Sequence, residues 1–238
     1  MRAEKTLTIL MPCLNEEESI AFCVREAQRY IEASQMEAEI LIVDNGSTDR
    51  SAQIARELGA RVVTEEKRGY GNAVRAGIRE AQGKYIIMGD SDGSYDFCSL
   101  SSFIEMLEAG YSLVVGNRLC REMEMGAMPF LHRYLGVPFL SWLARNRFGI
   151  KEVQDFHCGQ RGFCRETAQG LPFRTGGMEF ATEMIVEFAM AGVRICEVPV
   201  AFRRDKRSGL SHLRTFRDGW RHLKYIMTKE YKKTASTS

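Results

Sequence analysis

The first half of the chain alternates short apolar runs with longer segments in which apolar residues recur at helical spacing. This alternation is typical of β-α-β units, in which helices join the strands of a parallel sheet. Such units build an α/β fold with a doubly wound, mostly parallel sheet and helices on both faces. The runs predict strands at Thr6–Met11 (ended by Pro12), Glu39–Val43, Arg61–Thr64, Lys84–Met88 and Ser112–Val115. Helices are predicted over Glu17–Ala33, from the N-cap candidates Ser47, Thr48 and Asp49 to Leu58, and over Gly71–Gln82.

The second half of the chain is less regular. It predicts an aromatic and basic segment at Phe130–Phe148 broken by Pro138, a strand at His157–Arg165, a helix at Glu179–Ala191 and a strand at Arg194–Phe202. A C-terminal basic amphipathic helix is predicted over Arg214–Lys229. A chain of 238 residues is long enough for one large domain. We place that domain at residues 1–230 and expect a disordered polar tail at residues 231–238.

The charge distribution and the cysteines indicate which partners and which cellular compartment suit the protein. Residues 201–238 contain eleven Lys or Arg and three acids, a net charge of +8, so the remainder carries −6 because the whole chain carries +2. A basic segment attracts phosphates of nucleotides, anionic membranes or nucleic acids, but no base-stacking aromatic pattern supports nucleic acid. No apolar run approaches the ~18 residues of a membrane span, and no signal peptide is visible. The seven cysteines are scattered, which suits free thiols in the cytoplasm and argues against zinc.

Polar residues follow three of the predicted strands. The first strand is followed by Pro12-Cys13-Leu14-Asn15-Glu16, the second by Asp44-Asn45-Gly46-Ser47-Thr48-Asp49, and the fourth by Asp90-Ser91-Asp92. The carboxyl ends of parallel strands meet at one edge of a sheet, so these groups should converge on one crevice. Two carboxylates there are hard oxygen donors that suit Mg²⁺ or Mn²⁺, and the metal in turn holds phosphate oxygens. Taken alone, Asp-x-Asp is also common in turns.

Seven motifs in order resemble the family-2 glycosyltransferases with a GT-A fold, and more narrowly the polyprenol-phosphate (dolichol-phosphate) glycosyltransferases. The resemblance covers roughly residues 6 to 225. The motifs are LIVDNGSTD at 41–49, RGYGNA at 68–73, MGDSDGSYDF at 88–97, GNR at 116–118, DFHCGQRGF at 155–163, GMEF at 177–180, and RS at 207–208 with SHL at 211–213.

The resemblance implies a donor site with a divalent metal ion. Asp92 would be the main ligand of Mg²⁺ or Mn²⁺, and Asp90 would face the ribose and diphosphate beside it. The metal would neutralise the charge on the departing diphosphate. Ser94 stands where some relatives have a metal-contacting Gln, so its role stays open. The residues expected around the nucleotide are Pro12, Asn15, Glu16, Asp44 (for the base), Gly69 and Gly71.

The acceptor implied by the resemblance is a polyprenyl phosphate, which is already ionised and needs cations rather than a base. Guanidinium groups bind phosphate bidentately. The candidates are Arg118, Arg203, Arg207 with the adjacent Ser208, and Arg133. Asp155 and Glu179 stand where relatives have acids near the donor sugar, although Asp155 can instead cap a turn. His157, His212 and His222 lack metal-ligand spacing and are expected to be structural.

We therefore expect an inverting, metal-dependent hexosyltransferase that uses UDP-glucose first and GDP-mannose second as the nucleotide-sugar donor. Its acceptor would lie at an anionic membrane surface, reached by a cytoplasmic enzyme peripheral to the inner face. Three alternatives stay open: transfer to a soluble hydroxyl or thiol with Asp155 or Glu179 as base, a pyrophosphorylase, and a nucleotide-sugar-binding module. Relatives often continue into membrane spans, whereas this chain turns polar after Met227. A truncated membrane-anchored enzyme and a homo-oligomer also stay open.

Overall fold

The computed structural model describes residues 5–120, 137–206 and 215–230. Within these ranges the strands are β1 Leu7–Cys13, β2 Ala38–Asp44, β3 Arg61–Thr64, β4 Tyr85–Met88, β5 Leu113–Asn117, β6 Arg161–Cys164 and β7 Ile195–Pro199. The helices are α1 Ile20–Ser34, α2 Ser51–Glu57, α3 Tyr70–Glu80, α4 Ser101–Glu108, α5 Val137–Phe148, α6 Arg165–Gly170, α7 Phe180–Met190 and α8 Thr215–Thr228. No described helix combines the length and apolar character needed to cross a bilayer.

The strands form one sheet in the order β3-β2-β1-β4-β6-β5-β7. Neighbouring strands are parallel except for β6, which runs antiparallel to both β4 and β5. The predicted α/β fold with a mostly parallel sheet is confirmed. The chain passes from β1 to β2 and β3 on one side and returns to β4 on the other side of β1. Open α/β sheets bind ligands at such a switch point, outside the carboxyl ends of the strands.

The core lies on both faces of the central strands. Leu7, Ile9 and Leu10 of β1 are fully buried, as expected for a parallel strand covered by helices on two sides. Helix α3 approaches this strand closely at Gly77, where an added Cβ would lie 2.3 Å from Cδ1 of Leu10. Because the helix backbone rests almost directly on the sheet, the start of α3 is held close to the carboxyl end of β1.

Two prolines to which the prediction gave breaks lie within regular elements. Pro12 does not end the first strand as predicted, whereas residues 130–136 lie outside the described residues, so the predicted break at Pro138 stays a prediction. Strand β1 continues through Pro12, which lies opposite Val43 of β2. The β4 ladder has already ended at the Leu10–Met88 pair, so β1 has a strand partner on only one side at Pro12 and tolerates the missing N–H. Pro138 is the second residue of α5 as the structure describes it.

Several other boundaries differ from the prediction, and two of them concern loops near the carboxyl ends of the strands. The segment 157–165 is a strand only from Arg161 to Cys164, and the residues before it form a loop at the edge of the site. Helix α2 begins at Ser51 after the N-cap residue Arg50, without a side-chain cap. Of the three predicted caps, Ser47 and Thr48 contact the loop between β1 and α1, whereas Asp49 accepts a hydrogen bond from the backbone of Ser51 at the start of the helix (3.0 Å).

Candidate active site

The Asp-x-Asp turn follows β4 and is fixed by its middle residue. Ser91 is buried, and its Oγ donates a hydrogen bond to the carbonyl of Pro12 (2.8 Å). The carbonyl of Ser91 accepts a hydrogen bond from Oγ of Ser19, just before α1 (2.8 Å). The turn is therefore attached to two elements, and Asp90 and Asp92 stay partly exposed at the edge of the sheet.

Ser94 orients the carboxylate of Asp92. Its backbone N–H and its hydroxyl both donate to Oδ1 of Asp92, at 2.9 and 2.6 Å. The carbonyl of Asp92 accepts a hydrogen bond from the backbone of Lys206 (2.8 Å), so the segment after β7 passes along the turn. Ser94, whose role the sequence left open, thus makes two hydrogen bonds that hold the side chain of Asp92.

Asp90 lies between the start of α3 and the loop before β6. The phenol of Tyr70 donates a hydrogen bond to the carboxylate of Asp90. The pKa of Tyr70 is raised well above its usual value, mainly by burial and then by the negative charge of Asp90. The phenol therefore keeps its proton and remains a donor to the carboxylate. On the other side, a Cβ at Gly159 would lie 2.6 Å from Oδ2 of Asp90. Only glycine fits there without moving the carboxylate.

The two carboxylates of the turn fit a divalent ion that is shared with a substrate. Mg²⁺ usually takes one or two protein carboxylates and completes its shell with water and phosphate oxygens, and Asp90 and Asp92 are such a pair. Among the described residues, the one group of three side chains close enough to hold a metal is Glu26, Asp96 and Cys98. Arg203 forms ion pairs with both acids of that group, at 2.8 and 3.1 Å, so its guanidinium already supplies the positive charge.

The end of β2 brings Asp44 to the same crevice. Oδ1 of Asp44 accepts a hydrogen bond from the backbone of Ser47 (3.1 Å), and its Oδ2 has no hydrogen-bond partner among the described residues. Asn45, its neighbour, donates to the carbonyl of Lys67 (3.0 Å) and accepts from the backbone of Gly69 (2.7 Å). Asn45 therefore ties the loop before α3 to the strand that carries Asp44.

The loop after β1 binds the loop after β2. Oδ1 of Asn15 accepts a hydrogen bond from the backbone of Thr48 (2.8 Å). The carboxylate of Glu16 accepts one from Ser19 (3.0 Å), and its backbone donates to Ser51 (2.7 Å). Asn15 and Glu16 thus lie where the loop after β1 meets the loop after β2. Their side chains hold neighbouring loops, and the predicted contact with the nucleoside stays a prediction.

Gly69 and Gly71 pack against protein backbone. Gly69 has a φ of 131°, and an added Cβ would lie 2.1 Å from the carbonyl oxygen of Gly176. A Cβ at Gly71 would lie 2.5 Å from the carbonyl oxygen of Thr175. The two glycines therefore allow the start of α3 to pack against the loop before α7. The resemblance implies instead that they allow the backbone to approach a nucleotide, and this stays a prediction.

Arg118 and Asp155 form a buried ion pair. Nε and Nη2 of Arg118 donate to the two carboxylate oxygens of Asp155 at 2.7 and 2.8 Å. Asp155 is fully buried and also accepts from the backbone of His157 (3.2 Å), so it caps a turn as well. Burial by itself raises the pKa of Asp155, but the Arg118 guanidinium outweighs burial and holds this pKa below its ordinary value. The guanidinium expected to bind the acceptor phosphate is thus already bound to a carboxylate.

The remaining predicted residues fall into two groups. Glu179 is buried at the start of α7 and accepts a hydrogen bond from Arg221 of α8 (2.8 Å). Arg203 lies in the ion pairs described above, which join it to α1 and to the loop after β4. The others lie outside the described residues: Arg207, Ser208, Arg133 and His212.

Several residues that support the site were missed by the sequence analysis. Glu197 of β7 accepts hydrogen bonds from the backbone of Asp155 (2.8 Å) and from the side chain of Asn117 (2.8 Å). Arg161 is 1% exposed and donates to three carbonyls, those of Phe156, Cys158 and Ala181. A charged residue within an apolar strand run is the signal that could have identified Glu197, whereas Arg161 stands in the DFHCGQRGF motif, which gave it no role.

Comparison with known proteins shows the family of the chain. The model of "Glycosyl transferase family 2" matches residues 8–171. The low-salt glycan biosynthesis hexosyltransferase Agl6 of Haloferax volcanii is 37% identical, over 93% of this chain and 53% of that protein. The dolichyl-phosphate hexose transferase of the same organism is 32% identical, over 90% of this chain and 89% of that protein. Human dolichyl-phosphate beta-glucosyltransferase is 32% identical, over 69% of this chain and 56% of that protein.

The chain therefore spans about half the length of Agl6 and of the human relative. Among solved structures, glucosyl-3-phosphoglycerate synthase from Mycobacterium tuberculosis, in complex with Mn²⁺, UDP and glucosyl-3-phosphoglycerate, superposes with a TM-score of 0.73. It is 21% identical and covers 95% of this chain and 80% of that one, so this likeness concerns the fold. Sequence and fold agree that the chain belongs to glycosyl transferase family 2 and has the GT-A architecture that its motifs predict.

Proposed function

We propose that this protein transfers a hexose, with inversion, from a nucleotide diphospho-sugar to a polyprenyl phosphate, with UDP-glucose as the first donor to test and GDP-mannose as the second. The observation that carries the proposal is the convergence of Asp44, Asp90 and Asp92 on the crevice beside β1. The names of the Haloferax and human relatives support a lipid-phosphate acceptor. The UDP and Mn²⁺ in the solved synthase support the donor and the metal.

The donor would lie across the switch point, with its base toward Asp44 and its diphosphate toward Asp90 and Asp92. The Asp44 carboxylate can accept an N–H from the base. Mg²⁺ or Mn²⁺ held by Asp92, with Asp90 beside it, would supply positive charge to the departing diphosphate. Before the donor binds, Ser94 holds the carboxylate of Asp92 and Ser91 holds the backbone of the turn. Pro12, Asn15 and Glu16 form the adjoining wall.

The arrangement around Asp155 favours an ionised acceptor. A hydroxyl or thiol acceptor needs a base that removes its proton, whereas a phosphate does not. Both oxygens of Asp155 accept hydrogen bonds from Arg118, and the lowered pKa makes this carboxylate a weak base. Asp155 therefore positions Arg118 and the loop before β6 and does not activate an acceptor. Glu179 remains the one candidate base of the soluble-acceptor alternative.

The acceptor phosphate would meet cations from the segment after β7. The backbone of Lys206 contacts Asp92 directly, and the next two residues in the sequence are Arg207 and Ser208. Arg118 and Arg203 are each bound to buried carboxylates in the structure. We therefore assign phosphate binding to Arg207, with Ser208 as a neighbouring donor.

A lipid acceptor would be reached through the outer faces of α5 and α8. The two helices lie side by side, since Nη2 of Arg147 contacts the carbonyl of Lys229 (3.4 Å). Buried residues recur on the inner sides, and large apolar residues are 56–66% exposed on the outer sides: Phe139, Trp142, Trp220 and Met227. Exposed aromatic residues beside basic ones are typical of a surface that lies in a lipid interface. This supports a peripheral enzyme at an anionic membrane.

The donor assignment is tested by thermal shift with UDP, GDP, UDP-glucose and GDP-mannose, each with Mn²⁺ and with EDTA. A ligand that binds the native state raises the Tm by mass action, so we expect UDP-glucose with Mn²⁺ to raise it most. Asp92→Ala should lose both this shift and transfer. Asp96→Asn is the matched control, because it removes a carboxylate from the same loop that pairs with Arg203. Full transfer by Asp92→Ala in EDTA would refute the metal role.

The acceptor assignment is tested with radiolabelled donor and polyprenyl phosphate in anionic vesicles. We expect transfer to the lipid, and we expect vesicle binding to fall at about 0.5–1 M salt, where the screening length is ~3–4 Å. Trp142→Ala combined with Trp220→Ala should reduce vesicle binding but leave UDP binding unchanged. Strict dependence on Glu179 for transfer to a soluble thiol or hydroxyl, with no lipid product, would favour the soluble-acceptor alternative.

A further inference from the structure

Helix α8 is held against α7 by two ion pairs of the same kind. Arg221 pairs with Glu179 at the start of α7, and Lys229 pairs with Glu187 near its end. Each pair joins residues 42 apart in the sequence. Between them, Oγ1 of Thr182 hydrogen-bonds to Nδ1 of the buried His222 (2.9 Å). The two helices therefore run side by side in the same direction, with one tether at the candidate site and one away from it.

The backbone around Glu179 is also held by contacts that do not involve α8. The preceding loop is bound to α7 by Glu183, whose carboxylate accepts hydrogen bonds from the backbone of Arg174 (3.0 Å) and of Thr175 (2.9 Å). The same loop rests on Gly69 and Gly71 at the start of α3. Removal of a tether to α8 should therefore leave this backbone in place. What α8 can change is the orientation of the Glu179 side chain.

One oxygen of Glu179 is committed and the other is not. Oε1 accepts hydrogen bonds from Nη2 of Arg221 (2.8 Å) and from the backbone of Gly177 (3.3 Å). Oε2 is buried and has no hydrogen-bond partner among the described residues. Glu179 as a whole is 8% exposed. Buried carboxylate oxygens are nearly always paired, so Oε2 is suited to a donor from a ligand. Sugar hydroxyls are such donors.

Gly177 lets the guanidinium of Arg221 reach this position. An added Cβ at Gly177 would lie 2.4 Å from Cζ of Arg221 and 2.6 Å from Oε2 of Glu179. The guanidinium and the carboxylate thus pack directly on the bare backbone of the loop. This close packing fixes the distance between the two charged groups and their relative orientation. An ion pair whose only role was to hold two helices together would not need such a fixed geometry.

We propose that Arg221 of α8 is a positioning residue for the donor sugar: it holds Glu179 through Oε1 so that Oε2 accepts a hydrogen bond from a sugar hydroxyl. The inference rests on the proposed nucleotide-sugar donor. It makes the docking of α8, the helix that carries the exposed Trp220, part of the donor site. Arg221 acts through Glu179 and does not touch the reacting atoms.

The test compares the affinities of UDP-glucose and UDP, measured by calorimetry with Mn²⁺ on the full chain. Arg221→Gln should weaken UDP-glucose binding about 10-fold, the usual effect of losing a hydrogen bond to a charged group, and leave UDP binding unchanged. Arg221→Lys should recover part of the loss. Lys229→Gln is the matched control, because it removes the distant tether: it should lower the Tm about as much as Arg221→Gln and leave both affinities unchanged.

A double-mutant cycle checks that Arg221 acts through Glu179. In the Glu179→Gln background, Arg221→Gln should cause no further loss of UDP-glucose affinity. The inference would be overturned if Arg221→Gln and Lys229→Gln changed the UDP-glucose affinity equally. It would also be overturned if the losses caused by Arg221→Gln and Glu179→Gln were additive. In both cases the proposed function would still stand, provided that the wild type binds UDP-glucose. If the wild type binds GDP-mannose and not UDP-glucose, the same comparison is made with GDP-mannose and GDP. If it binds neither sugar nucleotide, the proposed function fails and the inference fails with it.

Discussion

Replacement of Asp155 by Asn removes the negative charge from the buried pair with Arg118. The carboxylate accepts hydrogen bonds from Nε, Nη2 and the backbone of Arg118 and from the backbone of His157. An Asn amide has one oxygen that can accept these bonds. Its NH₂ group would face the N–H donors of Arg118 or His157 and could not accept from them. Arg118, a residue that is 7% exposed, then keeps its charge buried without a counter-charge.

The expected cost follows from that burial. Breaking a buried ion pair by removing one partner destabilises a protein by about 3–5 kcal/mol, because the other charge is left uncompensated. For a domain of about 150–250 residues, each kcal/mol lowers the Tm by about 2–4 °C. Asp155→Asn should therefore lower the Tm by about 6–20 °C. Arg79→Gln is the control, since Arg79 pairs with Glu65 and Glu80 at a side chain 65% exposed, and a surface pair contributes at most about 1 kcal/mol.

The assay is thermal unfolding of Asp155→Asn, Arg118→Met and the double variant. The double variant should lose much less than the sum of the two single losses, because it leaves no unpaired buried charge. The folded pKa of Asp155 is lowered, so its contribution is present above the unfolded pKa of about 3.9 and is lost as the pH falls through the folded pKa. Additive losses, or a Tm change for Asp155→Asn no larger than that of Arg79→Gln, would refute the reasoning.

Three further predictions concern Gly71, His222 and Asp44. Gly71→Ala should destabilise the protein and weaken UDP binding, because its Cβ would lie 2.5 Å from the carbonyl oxygen of Thr175, whereas Gly170→Ala, with nothing within 4 Å, should do neither in calorimetry and melting. Burial lowers the pKa of His222 to about 4, so folding stability should be lost as the pH falls from the unfolded value of about 6.5 toward 4, and His222→Gln should flatten the urea-unfolding profile there. Asp44→Ala should weaken UDP binding by about 1–3 kcal/mol, the scale for a hydrogen bond to a charged group, and unchanged affinity in calorimetry would contradict its assignment to the base.

The order of strands and helices and the polar ends of three strands could be predicted from the sequence. Hydrophobic periodicity is a local signal, because a helix or strand buries the residues that its own repeat places on one face. Parallel β-α-β units then bring the carboxyl ends of their strands to one edge. Asp44, Asp90 and Asp92 could therefore be placed together before any coordinates, and the structure shows them around the end of β1.

Only the tertiary structure decided which charges neutralise one another. Arg118 meets Asp155 from 37 residues away, Arg221 meets Glu179 from 42, and Arg203 meets Glu26 from 177. No local pattern records such partners, because each pair is formed by the packing of two separate elements. The antiparallel direction of β6 is of the same kind, since an apolar run has the same composition in either direction. Arg118 and Arg203, which the sequence offers as ligands for phosphate, are thus bound to carboxylates. The reason is that a buried charge left without its partner costs about 3–5 kcal/mol, and the buried charges are those of Arg118, Asp155 and Glu26.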